Sequence, residues 1–178
     1  HNPASDNGIK LFSNDGRKIK KETAFKIESL INPEEPLHTP ETERDFDYNG
    51  AKRYVDLICL KHNELSLNGW KIVVDTANGA TVCTAPETLH HLNAQVIQIG
   101  NCPDGQNIND AVGSEHPYVM AQRVKAERAH LGIALDGDGD RVVFSDETGS
   151  ILCGEEILAL VAFYKLQKGE LKHNTLVT

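Results

Sequence analysis

Long apolar runs, basic stripes, closely spaced cysteines and nucleotide-binding glycine fingerprints are all missing from this chain of 178 residues. Without an unbroken apolar stretch of about twenty residues, nothing in it reads as a membrane-spanning helix, and no signal-peptide pattern is visible. The formal net charge is -8 at pH 7, with 18 lysines and arginines against 26 aspartates and glutamates. That balance argues against a nucleic-acid binder, which needs a basic face to meet phosphates. The four cysteines, Cys59, Cys83, Cys102 and Cys153, stand far apart with no CxxC spacing. They fit reduced thiols in the cytoplasm better than a disulfide frame or a zinc site. Eight histidines are equally scattered, and the adjacent His90 and His91 would leave a helix on different sides, which makes a poor metal pair. Neither G-x-G-x-x-G nor a Walker pattern occurs, so "DTANGA" (75–80) reads as a plain strand-to-helix turn. What is left is a folded composition, 39% hydrophobic and 25% charged, of a length that suits one domain or one domain with pieces of its neighbours.

The chemistry concentrates in "ALDGDGDRVVFSD" (134–146). Asp136, Asp138 and Asp140 alternate with Gly137 and Gly139, and Arg141 follows at once. Like charges this close are tolerable when a cation sits among them. Both glycines can take positive φ at little steric cost, so the backbone can coil until the carboxylates converge. Oxygen-only ligands suit a hard divalent ion, Mg²⁺ or Ca²⁺, rather than zinc. The plainer alternative is a solvated Asp-Gly turn.

A calcium loop is half-matched: Asp136, Asp138, Asp140 and Glu147 fall at loop positions 1, 3, 5 and 12. Position 6 should be glycine for the sharp turn and is Arg141. A calcium hand also needs a helix on each side, whereas "LGIAL" and "RVVFSD" read as strands. Arginine beside the carboxylates has another logic, pairing with one of them or holding a phosphate that arrives at the metal. Mg²⁺ with a phosphorylated ligand is therefore the favoured reading. A calcium-stabilised binding module, with Glu147 as a further ligand and no catalysis, is the alternative of another class.

Along the chain, "GIKLFSNDGRKI" reads as two short strands joined at Asp15-Gly16, followed by a helix from Lys21 to Ile31. "NPEEPLHTPETERDFDYNG" has Pro33, Pro36 and Pro40 among many acids, a linker composition that marks a domain boundary. A regular pattern follows: a helix with an apolar face through Tyr54, Leu57 and Ile58, then "WKIVVDT" (strand), "APETLHHLN" (helix), "AQVIQIG" (strand), a polar loop, "YVMAQRVKAERAH" (helix) and "LGIAL" (strand). This alternation predicts an α/β fold, with mixed, mostly parallel sheets flanked by helices. Ligands of such sheets gather beyond the carboxyl ends of the strands, where the aspartate run lies. "EEILALVAFYKLQKG" predicts a long amphipathic helix opening a third unit, with "NTLVT" as its first strand.

The quoted stretches resemble the α-D-phosphohexomutase family. "HNPASDNGIK" is similar to the tail of the family's phosphoserine loop and "DGDGDR" to its magnesium loop. "PDGQNIN", "GSEH" and "DTANGATVCTAP" resemble the branch that handles glucosamine phosphate. The resemblance covers nearly the whole chain. It implies the end of a first domain (1–39), a linker (40–47), a second domain carrying the metal loop (48–150) and the start of a third (151–178).

The activity implied is interconversion of glucosamine 6-phosphate and glucosamine 1-phosphate, a cell-wall precursor step, by Mg²⁺-dependent phosphoryl transfer. A phosphoserine immediately before His1 would donate to the bound monophosphate, and a 1,6-bisphosphate would turn around and return a phosphate. A phosphomannomutase or phosphoglucomutase of the same fold is the alternative sugar choice. The resemblance makes Asp136, Asp138 and Asp140 the Mg²⁺ ligands and Arg141 a partner of the phosphoserine or of the acidic shell. Lys10 becomes the group that accepts the sugar hydroxyl proton, and His1, with Asn2, shapes the phosphoserine loop. The partners expected are the hexosamine phosphate and its bisphosphate, with neither nucleic acid nor membrane. Because the serine falls one residue before His1, and the family's sugar-binding and last phosphate-binding loops fall past Thr178, these residues alone are expected to be inactive.

Overall fold

The runs KIVVD and LGIAL are rich in apolar residues and too short for helices, which favours strands buried on both faces. In the computed structural model, which describes residues 5, 6, 8–31 and 49–177, they become neighbouring strands. There are two compact units, one of residues 49–177 and one containing residues 8–31.

The larger unit is built on β1 (Lys71–Asp75), β2 (Gln95–Ile99), β3 (Leu131–Leu135) and β4 (Val142–Ser145). Their spatial order is β2-β1-β3-β4. β1 runs parallel to β2 and β3, with Asp75 level with Ala134, and β4 turns back antiparallel to β3, with Val142 opposite Leu135. The mostly parallel α/β fold expected from the alternation is the one observed. Four helices belong to this unit: α2 (Gly50–Lys61), α3 (Thr84–His91), α4 (Pro117–Glu127) and α5 (Gly154–Gln167). The smaller unit has α1 (Lys21–Glu28), which stops three residues short of the expected Ile31.

Alternation along β1 sends Val73 to one face and Ile72 and Val74 to the other. Val73 packs with Met120 and Val124 of α4 and with Ala134 of β3. Ile72 and Val74 pack with Ala94, Leu89 and Ala85 on the side of α3. The sheet is thus covered on both faces, and Gly132 in β3 marks how tightly: a Cβ there would fall 1.9 Å from Met120 Sδ. Proline at the first turn of α4 and a left-handed Arg128 after its last turn bound that helix.

Several expectations are corrected. In α2 the inward residue is Val55, fully buried, with Ile58 and Cys59 half-buried, while Tyr54 and Leu57 are exposed. The helical period was right and its phase was off by one residue. α5 is not amphipathic. Nine apolar residues fall within ten, so they run round the axis, and Leu158, Leu160, Val161, Phe163 and Tyr164 are all exposed. Of the segment read as a strand at "NTLVT", Asn174 ends a 3₁₀ turn (Lys172–Asn174), and the described residues after it, 175–177, form no strand. The expected hairpin at Asp15-Gly16 keeps its turn, with Gly16 at φ +75°. Its strands shrink to one bridge, Phe12 to Lys18, because two strands with no buried face hold little ladder. The proposed linker (40–47) lies outside the described residues.

Candidate metal centre

The strand order reverses between β1 and β3, since one crossover from β1 leads to β2 and the next leads back past it to β3. At such a switch point the loops leaving the strands part and open a crevice. Asp136 leaves β3 at this place. Its side chain is 1% exposed, its Oδ1 accepts the Arg141 N–H at 3.1 Å, and its backbone N–H and carbonyl close the loop onto Arg141 (3.3 Å) and Gly139 (3.1 Å). Asp138 and Asp140 are exposed. One carboxylate oxygen from each of the three aspartates comes within 4.8 Å of the others. Among the described residues this is the one cluster of that kind.

The donor set fits a hard divalent cation: three carboxylate oxygens, no nitrogen or sulfur, two ligands open to solvent and one held from behind. Mg²⁺, which keeps waters and phosphate oxygens among its six ligands, suits three protein donors. Arg141 Nε lies 3.6 Å from Asp136 Oδ2 and 3.9 Å from Asp140 Oδ1, with its side chain 62% exposed. Its guanidinium relieves the mutual repulsion of the acids and stays accessible to an incoming anion.

The two glycines of the loop have different jobs, where the sequence suggested one. Gly139 takes positive φ (+77°) and coils the loop, but Gly137 does not. Gly137 instead lies against Gly79, where a Cβ would come 2.3 Å from the Gly137 carbonyl oxygen, and the Ala80 N–H donates to that oxygen at 2.8 Å. "DTANGA" is therefore more than a turn. Asp75, Thr76 and Ala77 are fully buried, and Ala77 and Asn78 both adopt left-handed backbone. Nothing in composition or spacing marked Asp75. The one available signal was an acid ending a wholly apolar strand.

"PDGQNIN" forms a self-bonded loop in which the Asp104 carboxylate accepts the N–H groups of Gln106 and Asn107 at 2.8 and 2.9 Å. Asn78 ties it to the DTANGA turn, accepting from Cys102 N–H (3.1 Å) and donating to the Asn107 carbonyl (3.2 Å). Between the loops is a cavity of about 460 Å³, walled by Asn78, Gly79, Pro103, Asn107, Gly137 and Asp138.

Glu147, the twelfth position of the calcium alternative, does not join the acids. It follows β4, whose end at Ser145 is level with Gly132 near the start of β3, while Asp136 follows the other end. The flanks are strands rather than helices. An antiparallel return carries the chain away from the metal loop, so a twelve-residue calcium hand cannot close here. Lys10 is exposed in the smaller unit, two residues before the Phe12–Lys18 bridge. His1 lies outside the described residues.

Residues 52–149 match the family described as phosphoglucomutase/phosphomannomutase, alpha/beta/alpha domain II, and residues 1–38 match its alpha/beta/alpha domain I. The chain is 43% identical along its whole length to phosphoglucosamine mutase of Streptococcus pyogenes serotype M5, of which it covers 40%. Among solved structures, a phosphoglucomutase/phosphomannomutase family protein from Burkholderia thailandensis superposes with a TM-score of 0.58 at 28% identity, over 67% of this chain and 26% of that one. A candidate phosphomannomutase from Thermus thermophilus shares the fold at 23% identity, with a TM-score of 0.64 over 86% of this chain and 36% of that one. The chain thus spans about two fifths of the length of the curated relatives it matches. With both domain profiles in order and an acidic loop at the strand switch point, this chain belongs to the phosphoglucomutase/phosphomannomutase family.

Proposed function

We propose that this chain is the part of a phosphoglucosamine mutase that carries the metal loop. The whole protein would interconvert glucosamine 6-phosphate and glucosamine 1-phosphate by way of a phosphoserine and a 1,6-bisphosphate. The observation that carries the reading is the convergence of Asp136, Asp138 and Asp140 within 4.8 Å beside an accessible Arg141. The whole-chain identity of 43% to an enzyme named for the amino sugar supports the choice of substrate.

In this mechanism Asp136, Asp138 and Asp140 would hold Mg²⁺, which would supply positive charge to offset that of the transferred phosphoryl group. The buried Asp136 anchors the site, and its exposed neighbours leave the solvent side open for a phosphate. Arg141 pairs with the acids at rest and turns its free N–H groups to the phosphoserine. Lys10 takes the proton from the attacking sugar hydroxyl, for which it must be neutral when it acts. His1 and Asn2 shape the loop around the serine. We read residues 1–39 as the end of a first domain, 40–47 as a linker, 48–150 as a second domain and 151–178 as the start of a third. Action in the cytoplasm is supported by four cysteines that are all free thiols. No helix among the described residues is long and apolar enough to cross a membrane.

Assay of the whole protein on glucosamine, glucose and mannose 6-phosphates tests the reading. Mg²⁺-dependent turnover with highest kcat/KM on the amino sugar is expected. A preference for glucose or mannose phosphate overturns the substrate, and full turnover in the presence of chelator overturns the metal.

A further inference from the structure

A fully buried carboxylate is unfavourable unless its charge is met by hydrogen-bond donors. Asp75, at the end of β1, is such a group. Its Oδ1 accepts the Ala77 N–H at 3.0 Å and its Oδ2 accepts the Gly113 N–H at 2.8 Å. Each oxygen thereby starts one arm of a brace. Along the first arm, Ala77 and Asn78 are held in left-handed backbone, Gly79 N–H returns to the Thr76 carbonyl at 2.8 Å, and Ala80 N–H reaches the Gly137 carbonyl at 2.8 Å. Along the second, Gly113 is followed by Ser114, whose N–H donates to the Leu135 carbonyl at 2.9 Å.

The two arms end on Leu135 and Gly137, the residues on either side of Asp136. Both arms need glycine where they touch. A Cβ on Gly79 would meet the Gly137 oxygen at 2.3 Å, and one on Gly113, at φ +80°, would meet the Leu135 oxygen at 2.7 Å and Ala77 Cβ at 2.6 Å. Strained backbone of this kind persists where the surroundings over-determine it. Here the buried carboxylate does so.

We propose that Asp75 is a positioning residue for the metal loop, gripping the backbone on both sides of Asp136 and so setting where its carboxylate meets a divalent cation. The proposal rests on the magnesium reading above. Asp75→Asn keeps the shape of the side chain but replaces one accepting oxygen with an N–H₂ group, so one arm loses its anchor.

The test is Mg²⁺ binding to the whole chain by isothermal titration calorimetry, with thermal unfolding measured alongside. Asp75→Asn is expected to raise Kd on the order of tenfold to a hundredfold, the range known for residues standing behind metal ligands. Val124→Ala, which truncates the core near Gly132 at the other end of β3, lowers Tm but is expected to leave Kd within about twofold, since distant sites act independently. An Asp75→Asn chain that binds like the unmodified one, while Asp136→Asn binds nothing, overturns the proposal and leaves the magnesium reading standing. An unmodified chain that binds no Mg²⁺ takes down both.

Should Asp75→Asn fail to fold, hydrogen exchange in the unmodified chain decides. Coupling between the brace and the metal is reciprocal, so saturating Mg²⁺ is expected to slow exchange of the Ala77, Gly113 and Ser114 amides. Binding with no change at those three refutes the role.

Discussion

The two units of this chain place a candidate reactive side chain by different means. In residues 49–177, Asp136 follows a strand buried on both faces, and the backbone on either side of it is fixed by hydrogen bonds from two other loops. In residues 8–31, no residue is buried, and Lys10 stands on a segment joined by one bridge and a short helix. The larger unit carries the core that fixes its own geometry. The smaller one has apolar side chains such as Ile9, Phe12 and Phe25 in the open, and Lys10 lines a hollow there with Ile19, Ala24 and Ile27.

The sharpest way to break this contrast is to remove one candidate group from each unit in the whole protein. Asp136→Asn is expected to abolish both Mg²⁺ affinity and mutase turnover. Lys10→Ala is expected to lower kcat by about 10²–10⁴-fold, the range for loss of a general acid or base, with Mg²⁺ Kd unchanged. A Lys10→Ala protein that no longer binds Mg²⁺ would show that the two roles are not separable. Stability gives the next contrast. Met120→Ala, in the core of the larger unit, is expected to destabilise by about 2–5 kcal/mol, whereas Phe25→Ala on α1, a residue 66% exposed, should change it by no more than about 0.5 kcal/mol. Urea unfolding of this chain measures both, and equal losses would erase the distinction between the units.

The smallest effect concerns two aspartates that close turns, one in each unit, Asp15 exposed and Asp146 half-buried. Asp15 is held below the ordinary carboxylate range by the Ser13 hydroxyl, then by the Arg17 amide. Asp146 is held below it by the Thr148 hydroxyl, then by the Ser150 amide. A depressed folded-state value means that the stabilisation is present above the unfolded value of about 3.9. It is lost as pH falls through the lower folded value. Carboxyl-carbon NMR titration should find both below that reference. Thr148→Val should return Asp146 towards it and leave Asp15 unmoved, and an Asp146 that does not respond would assign its shift to backbone donors alone.

The four strands of the larger unit and the convergence of Asp136, Asp138 and Asp140 followed from short apolar runs and from acids spaced by glycine. The phase of α2 did not, because Tyr54 and Val55 are both apolar enough to face inward and the choice was made by packing on α3. α5 misled for the opposite reason: its residues are apolar on every side, so no stripe announces a face. Asp75 was invisible since its partners, the amides of Ala77 and Gly113, are backbone groups that every residue carries.

Local composition therefore determined which segments are strands and that an oxygen-donor cluster for a hard cation follows LGIAL, because side-chain period and ligand chemistry are written residue by residue. Tertiary structure alone decided that Glu147 stays away from that cluster, that Gly137 serves a close approach and Gly139 a turn, and that a buried acid 61 positions before Asp136 lies behind its loop. Those outcomes depend on which backbones come within a few ångströms of each other. Strand order and register set that distance, and neither is carried by any one stretch of chain.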